Sequence, residues 1–364
     1  MPPLLALAAL VVLAPGGRAQ APAPVPVSVP AAAAVESLSD GPHVLWRGPK
    51  AEVLSVREGR LEKAALGAKG MLALPGLPPL KLSPAGPRAP LTDVAGSDRV
   101  AAVSDIHGNL QGLLTLLRAH QVIDAANRWT FGKGQLVVAG DVMDRGPQVT
   151  EAYWLLRSLE AQAAARGGRV HMVMGNHESM VLTGDQRYVN PKYKQLSAGL
   201  LPGLDVLYGP DSEVGRWLRL HPALIRVGRT LFLHGGISPK LLAGKPSLQS
   251  VNESLAAIWK PGVSEEARKA MLGTHGPLWY RGLIPGADTK LGDASPEHIQ
   301  ALLQAFDVDR VVVGHSTLDA VTAFHGGRVI GVDAGLKDGK GGELLLLEKG
   351  QAFRGLPDGT RLPL

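Results

Sequence analysis

Five apolar runs in this chain each break off at a side chain able to bind a metal, and that repetition constrains the fold more than any other feature. "RVAAVSD" (99–105) ends at Asp105, with His107 two residues on; "QLVVAGD" (135–141) ends at Asp141. "RVHMVMGNHE" (169–178) reaches Asn176 and His177, "TLFLHGG" (230–236) reaches His234, and "RVVVGHS" (310–316) reaches His315. Runs this continuously apolar read as strands buried on both faces, because the alternation of a half-exposed strand is missing. Helical patterns separate them. "NLQGLLTLLRAHQ" places leucines at 110, 113, 114, 116 and 117 on one face, and "VTEAYWLLRSLEAQAAARG" stops at Gly167 and Gly168. With "RVIGVDAG" and "ELLLLEKG" closing the domain, the pattern predicts an α/β fold whose sheet is covered on both sides. In such sheets ligands gather beyond the carboxyl ends of the strands, so five strand ends converge on one cleft.

Composition narrows what that cleft can hold. The chain of 364 residues contains no cysteine, so disulfides, thiol nucleophiles and zinc-thiolate sites are excluded, and any metal is held by oxygen and nitrogen. A net charge of +6 is spread without a long run of Lys or Arg. That predicts no nucleic-acid partner and only a mild preference for anions.

The leading "MPPLLALAALVVLAPGGRAQAPA" has an apolar run from Leu4 to Ala14, too short to span a bilayer and about right for a secretory signal. Residues 1–19 are therefore read as a signal peptide, cut after Ala19 or after Ala21, and the protein as exported to the periplasm or secreted. A buried or disordered apolar terminus is the plainer alternative, because no Lys or Arg precedes the run. Residues 20–40 form a Pro/Ala-rich linker. Residues 41–95 are read as a small N-terminal β extension and a connection: 41–65 alternate as short strands, while 72–95 are too rich in Pro and Gly for helix or central strand. The main domain spans 96–350, with a tail at 351–364. No membrane association is expected once the signal is removed, and nothing in the sequence fixes an oligomeric state.

Each strand end has a plain reading of its own. Asp105 or Asn176 could cap a helix, His234 and His315 could be satisfied core histidines, and Arg145 and Arg281 could pair with surface carboxylates. Five together are improbable as turn chemistry. Two Asp, one Asn and three His exceed what one octahedral ion that keeps water can use. Two divalent ions sharing one carboxylate fit better, and a pair roughly 3.5 Å apart activates water for attack at phosphorus. Mixed carboxylate and imidazole donors suit manganese, iron or zinc, with manganese favoured.

"SDIHG", "GDVMDRG", "GNHE", "HGG" and "GHS", in this order, resemble the calcineurin-like metallophosphoesterases. "DRG" and "GNHE" are similar to the phosphoprotein phosphatase branch, and "GPLWYRG" (276–282) with the leading segment looks most like the bacterial Shewanella-like protein phosphatases. The resemblance covers 99–348. It implies a β-sandwich of mixed sheets flanked by helices, with a dimetal site at the strand C-terminal ends. It further implies that Asp105, His107 and a bridging Asp141 hold one ion, and that Asp141, Asn176, His234 and His315 hold the other. A metal-bridging hydroxide would attack phosphorus directly, His177 would protonate the leaving oxygen with Asp144 orienting its ring, and Arg145, Arg281 and Asn176 would bind the phosphoryl oxygens. Two features depart from the family pattern. Ser104 stands where the family usually has Gly, which should alter packing more than coordination. "GVDAGLKDGKGG" (331–342) replaces the eukaryotic "SAPNY"-type loop and is similar to bacterial dinucleoside tetraphosphatases.

Inserts after the third and fourth strands are placed to roof the cleft and choose the substrate. Tyr188, Tyr193, Lys192 and Lys194 in the first could flank a phosphorylated aromatic or form ordinary helix surface. The expected activity is a phosphomonoesterase acting on phosphoprotein or phosphopeptide, with phosphotyrosine among the candidate residues. The alternatives are hydrolysis of dinucleoside polyphosphates or other small phosphoesters, and a non-catalytic phosphate binder. The last is disfavoured by the presence of both His177 and Asp144.

Overall fold

Every strand that ends at a candidate ligand has both of its faces buried, as its continuous apolar run requires. In the strand Arg99–Val103, Val100 and Ala102 join one core cluster while Ala101 and Val103 join another. The computed structural model describes residues 38–288, 290–339 and 341–364. The signal peptide and most of the linker therefore lie outside the described residues.

The chain opens with an antiparallel meander of β1 (Asp40–Arg47), β2 (Lys50–Arg57) and β3 (Arg60–Ala65). A hairpin, β4 (Met71–Leu74) and β5 (Leu77–Lys81), and a short β6 (Asp93–Val94) follow. The hairpin falls almost wholly within the stretch read as too rich in Pro and Gly for a central strand, and it forms a two-stranded sheet of its own. Its two prolines, Pro78 and Pro79, lie opposite a register shift between Leu72 and Leu74, where a ladder loses nothing for want of an amide donor. Leu72, Leu74 and Leu80 bury against the main domain.

The main domain holds two mixed six-stranded sheets among the described residues. The first runs through β7 (Arg99–Val103), β8 (Gln135–Val138) and β9 (Arg169–Met172), which are parallel. The second contains β6 with β10 (Leu224–Val227), β11 (Thr230–Leu233), β12 (Arg310–Val313), β13 (Thr322–Phe324) and β14 (Val329–Gly331); β11, β12 and β14 are mutually parallel. The first sheet is completed by β15 (Leu344–Glu348), antiparallel to β7, and by β16 (Gln351–Gly355) and β17 (Arg361–Pro363). Residues 351–364, read as a tail, thus carry two of its strands.

The sheets face each other. Val100, Ala102, Val137 and Ala139 from one meet Ile225, Phe232, Val312 and Ile330 from the other. Helices cover both outer faces, as expected for strands without an exposed side. On the first sheet these are α1 (Leu110–Ala119) and α2 (Val149–Ala164), the second of which also carries the leading meander. The leading sheet is pinned by Trp154 Nε1, which donates to Pro42 O at 2.8 Å. Parallel strands running the same way bring the loops after β7, β8, β9, β11 and β12 to one edge of the sandwich. Among the described residues no helix is long and apolar enough to cross a membrane.

Candidate active site

The site begins with backbone held in unusual conformations. Asp105, His107, Asp141, Asp144, Arg145 and His315 all have positive φ, between 46° and 71°, a region that costs a non-glycine residue energy and persists only where its surroundings fix it. The loops after β7 and β8 hold one another: Asp105 N donates to Gly140 O at 3.1 Å, His107 N to Asp141 O at 2.9 Å, and Gly146 N to His107 O at 2.9 Å. Gly140 has φ 85° and no room for a side chain; a Cβ there would lie 2.7 Å from Gly175 Cα and 2.8 Å from His234 Nδ1.

A carboxylate that the sequence reading assigned no role ties the third loop to the second. Glu178, fully buried in the short helix α3 (Asn176–Leu182), accepts from Asp141 N, Val142 N, Met143 N and Gly175 N at 2.8 to 3.0 Å, and from Tyr153 Oη at 3.0 Å. Burial, followed by the neighbouring Asp141, pushes its carboxyl up. The fourth letter of "GNHE" was the only sequence signal for it, because three of its five partners lie more than thirty residues away.

The predicted ligands converge on Asp141. Its Oδ2 lies 3.6 Å from His107 Nε2, 3.9 Å from His177 Nε2 and 3.2 Å from His234 Nε2, while its Oδ1 accepts from His177 N at 3.0 Å. Asp105 Oδ1 is 3.8 Å from His107 Nε2, and Asn176 Oδ1 is 2.8 Å from His234 Nε2. Two sets of donors, His107/Asp141/His177 and Asp141/His234/His315, each lie within 4.8 Å and share the aspartate.

The histidine tautomers are set by backbone carbonyls. His107 Nδ1 donates to Met143 O at 2.6 Å and His234 Nδ1 to Ala139 O at 2.7 Å, which turns each Nε2 toward the cluster. His315 Nε2 is buried without a hydrogen-bond partner. A buried orphan acceptor beside a carboxylate and two imidazoles fits a divalent cation.

Electrostatics separate the rings. Burial lowers His107 to about 4. Burial also opposes charge on His234, but Asp141 outweighs it and lifts that ring to about 9. His177 is raised despite burial, because its Nδ1 donates to Asp144 Oδ2 at 2.7 Å.

The remaining groups lie around this centre. Arg281 Nη1 donates to His315 O, and Nη2 sits 3.4 Å from His315 Nδ1. Arg145 is exposed, and its side chain makes no hydrogen bond among the described residues; its guanidinium carbon lies 5.2 Å from the centroid of Tyr188. Tyr188, 43% exposed, rests 5.0 Å from the ring of His177. Tyr193 and Lys192 turn inward instead, and Lys194 is surface. Ser104 does more than pack: its hydroxyl donates to Asp105 Oδ2 at 2.6 Å, and a Cβ on Gly314 would collide with it. Asp333, another residue without a predicted role, is fully buried; burial and then Asp105 lift it to about 7, against Lys337 at 2.8 Å.

Residues 98–317 match the family model of the calcineurin-like phosphoesterases. The solved structure of a cold-active protein-tyrosine phosphatase of a psychrophile Shewanella sp. superimposes with a TM-score of 0.81 at 36% identity, covering 90% of this chain and 99% of that one. Shewanella-like protein phosphatase 2 of Arabidopsis thaliana is 26% identical over 66% of this chain and 72% of its own length. A symmetrical bis(5'-nucleosyl)-tetraphosphatase of Psychromonas ingrahamii is 27% identical over a smaller share, 49% of this chain and 57% of the relative.

Proposed function

The chain belongs to the calcineurin-like phosphoesterases and is a hydrolase, and from that premise we propose that it is a two-metal phosphomonoesterase whose substrates are phosphotyrosine proteins or peptides. Asp105, His107 and Asp141 would hold one cation and Asp141, Asn176, His234 and His315 the other, with manganese the favoured ion. When bound, the pair supplies Lewis acidity that activates water and polarises the phosphoryl group.

The chain's own residues complete the chemistry. Arg145, Arg281 and Asn176 bind the phosphoryl oxygens, where guanidinium forks meet accumulating charge. His177 gives its Nε2 proton to the leaving oxygen, and Asp144 holds the ring charged and oriented through Nδ1. The observation that carries this reading is the His177–Asp144 pair, 2.7 Å apart, set against the donors that share Asp141. A phosphate binder has no use for a proton donor.

The leaving group departs past His177, and the side chain waiting there is aromatic. Tyr188 offers an exposed ring flanked by Arg145 and Arg187. That surface suits an aryl leaving group, since offset ring pairs contribute about 1 kcal/mol. The Shewanella structure's description as a protein-tyrosine phosphatase supports the same substrate class.

The manganese-loaded protein is assayed with phenyl phosphate and p-nitrophenyl phosphate. His177→Asn should lower kcat by about a hundredfold or more on phenyl phosphate and by less on the nitrophenyl ester, whose leaving group needs no proton. A substituted protein as fast as wild type on both removes the acid role; a wild type inactive on all phosphomonoesters removes the reading. Competition among phosphotyrosine peptide, phosphoserine peptide and diadenosine tetraphosphate then decides the substrate, and a preference for the last would favour the dinucleotide alternative.

A further inference from the structure

The leading meander reaches the loop that carries Arg145 through one largely buried lysine, Lys192. In that loop Asp144 and Arg145 are consecutive non-glycine residues with φ of 71° and 64°, a pair that costs roughly 1 kcal/mol or more per residue and has to be held from outside. Two of its carbonyls are gripped by α4 (Pro191–Gly199) and its cap. Asn190 Nδ2 donates to Arg145 O at 2.7 Å, while Pro147 O accepts from Tyr193 Oη at 2.9 Å and from Lys192 Nζ at 2.8 Å.

Lys192 belongs to a second partnership as well. Its ammonium lies 2.9 Å from Oδ1 of Asp40, the first residue of β1; the aspartate's side chain is fully buried and that of Lys192 is 14% exposed. Burial disfavours the charged form of Asp40, yet His43 and Lys192 hold its carboxyl below the usual range. One end of a buried ion pair is thus anchored in the leading sheet, and the other rests on a carbonyl two residues from Arg145. A buried pair like this is a poor source of stability, because desolvation offsets most of the attraction, whereas it fixes positions well.

We propose that Asp40 and Lys192 are positioning residues, through which the leading sheet sets the place of Arg145. The inference rests on Arg145 binding phosphate, as proposed above. It gives the leading sheet, which lies outside the sandwich, a part in the reaction.

The test is a double-mutant cycle on the full, manganese-loaded chain, read as competitive inhibition by inorganic phosphate. Lys192→Met should raise the inhibition constant about three- to tenfold in the wild-type background and leave it unmoved in an Arg145→Met background, because coupled residues are not additive. A general loosening of the fold would add the same penalty in both. Equal penalties, or none, overturn the inference. If Lys192→Met fails to fold, Asp40→Asn combined with Lys192→Met, which leaves no charge stranded at Asp40, is read the same way. An Arg145→Met protein that binds phosphate like wild type removes the role of Arg145 and this inference with it, whereas an impaired Arg145→Met beside an indifferent Lys192→Met removes only the inference.

Discussion

The two sides of the cluster around Asp141 are built differently. Asp105, His107 and Asp141 come from the loops after β7 and β8, neighbours in one sheet, zipped by backbone hydrogen bonds and gripped by Glu178. His234 and His315 come from the other sheet and meet Asp141 only because the sandwich closes; Asn176 joins them from the first sheet. One half is therefore fixed by local geometry and the other by packing between sheets. Asp141 is the member common to both, so the largest effect should follow from Asp141→Asn: both cations lost from the purified protein and kcat/KM down more than about a thousandfold. Asp105→Asn should empty one position and leave roughly one ion per chain. Metal analysis of the two variants decides; equal losses from both would show that the halves are not separable.

Glu178 tests the locally built half. It receives four backbone amides and a phenol in a fully buried place, and an unsatisfied buried donor costs about 1–3 kcal/mol. Glu178→Ala should therefore cost about 5 kcal/mol or more in urea unfolding and weaken metal binding at the Asp105/His107 side before the His234/His315 side. The reverse order of loss would mean that the first half depends on more than its own loops.

What could be read in advance follows the same division. The apolar runs into Asp105, Asp141, Asn176, His234 and His315 announced the strands and their common edge, because a strand buried on both faces writes its environment into every residue. The partners that come from afar left no such trace. Glu178 and Lys192 are ordinary charged residues until the chain folds, so nothing local marked the amides around one or Asp40 beside the other. The hairpin at 71–81 was hidden by Pro78 and Pro79, which local propensity reads as breakers and a shifted register tolerates.

Each sheet also has a buried histidine outside the Asp141 cluster, in or just before one of its strands, and acid should sharpen the comparison there. Burial lowers His171, in β9, to about 4, and His221, leading into β10, to about 3. Both folded-state values lie below the unfolded value of about 6.5. The stability each contributes is thus complete above that pH and is lost as pH falls through it, because only the unfolded chain then takes up the proton. Near pH 5 the loss should be about 2 kcal/mol per histidine, visible as a lower urea midpoint than near pH 7.5. His171→Gln and His221→Gln should each flatten part of that slope; if only one does, the other ring is not buried neutral.

The smallest effect belongs to Ser104, and it bears most directly on how the local half is tuned. Its hydroxyl donates to Asp105 Oδ2 at 2.6 Å, and the same oxygen accepts from His315 N at 2.9 Å, so one carboxylate oxygen is held by both sheets at once while Oδ1 faces His107. Ser104→Ala removes the donor from the first sheet and keeps the one from the second. A ligand that loses a supporting hydrogen bond typically loses about tenfold in metal affinity, and here the loss should fall on the Asp105/His107 position alone. Titration of the metal-free protein with manganese should then separate into one step near the wild-type affinity and one weakened step. Two steps weakened alike would mean that Asp105, through the amide of His315, couples the two halves just as the shared Asp141 does.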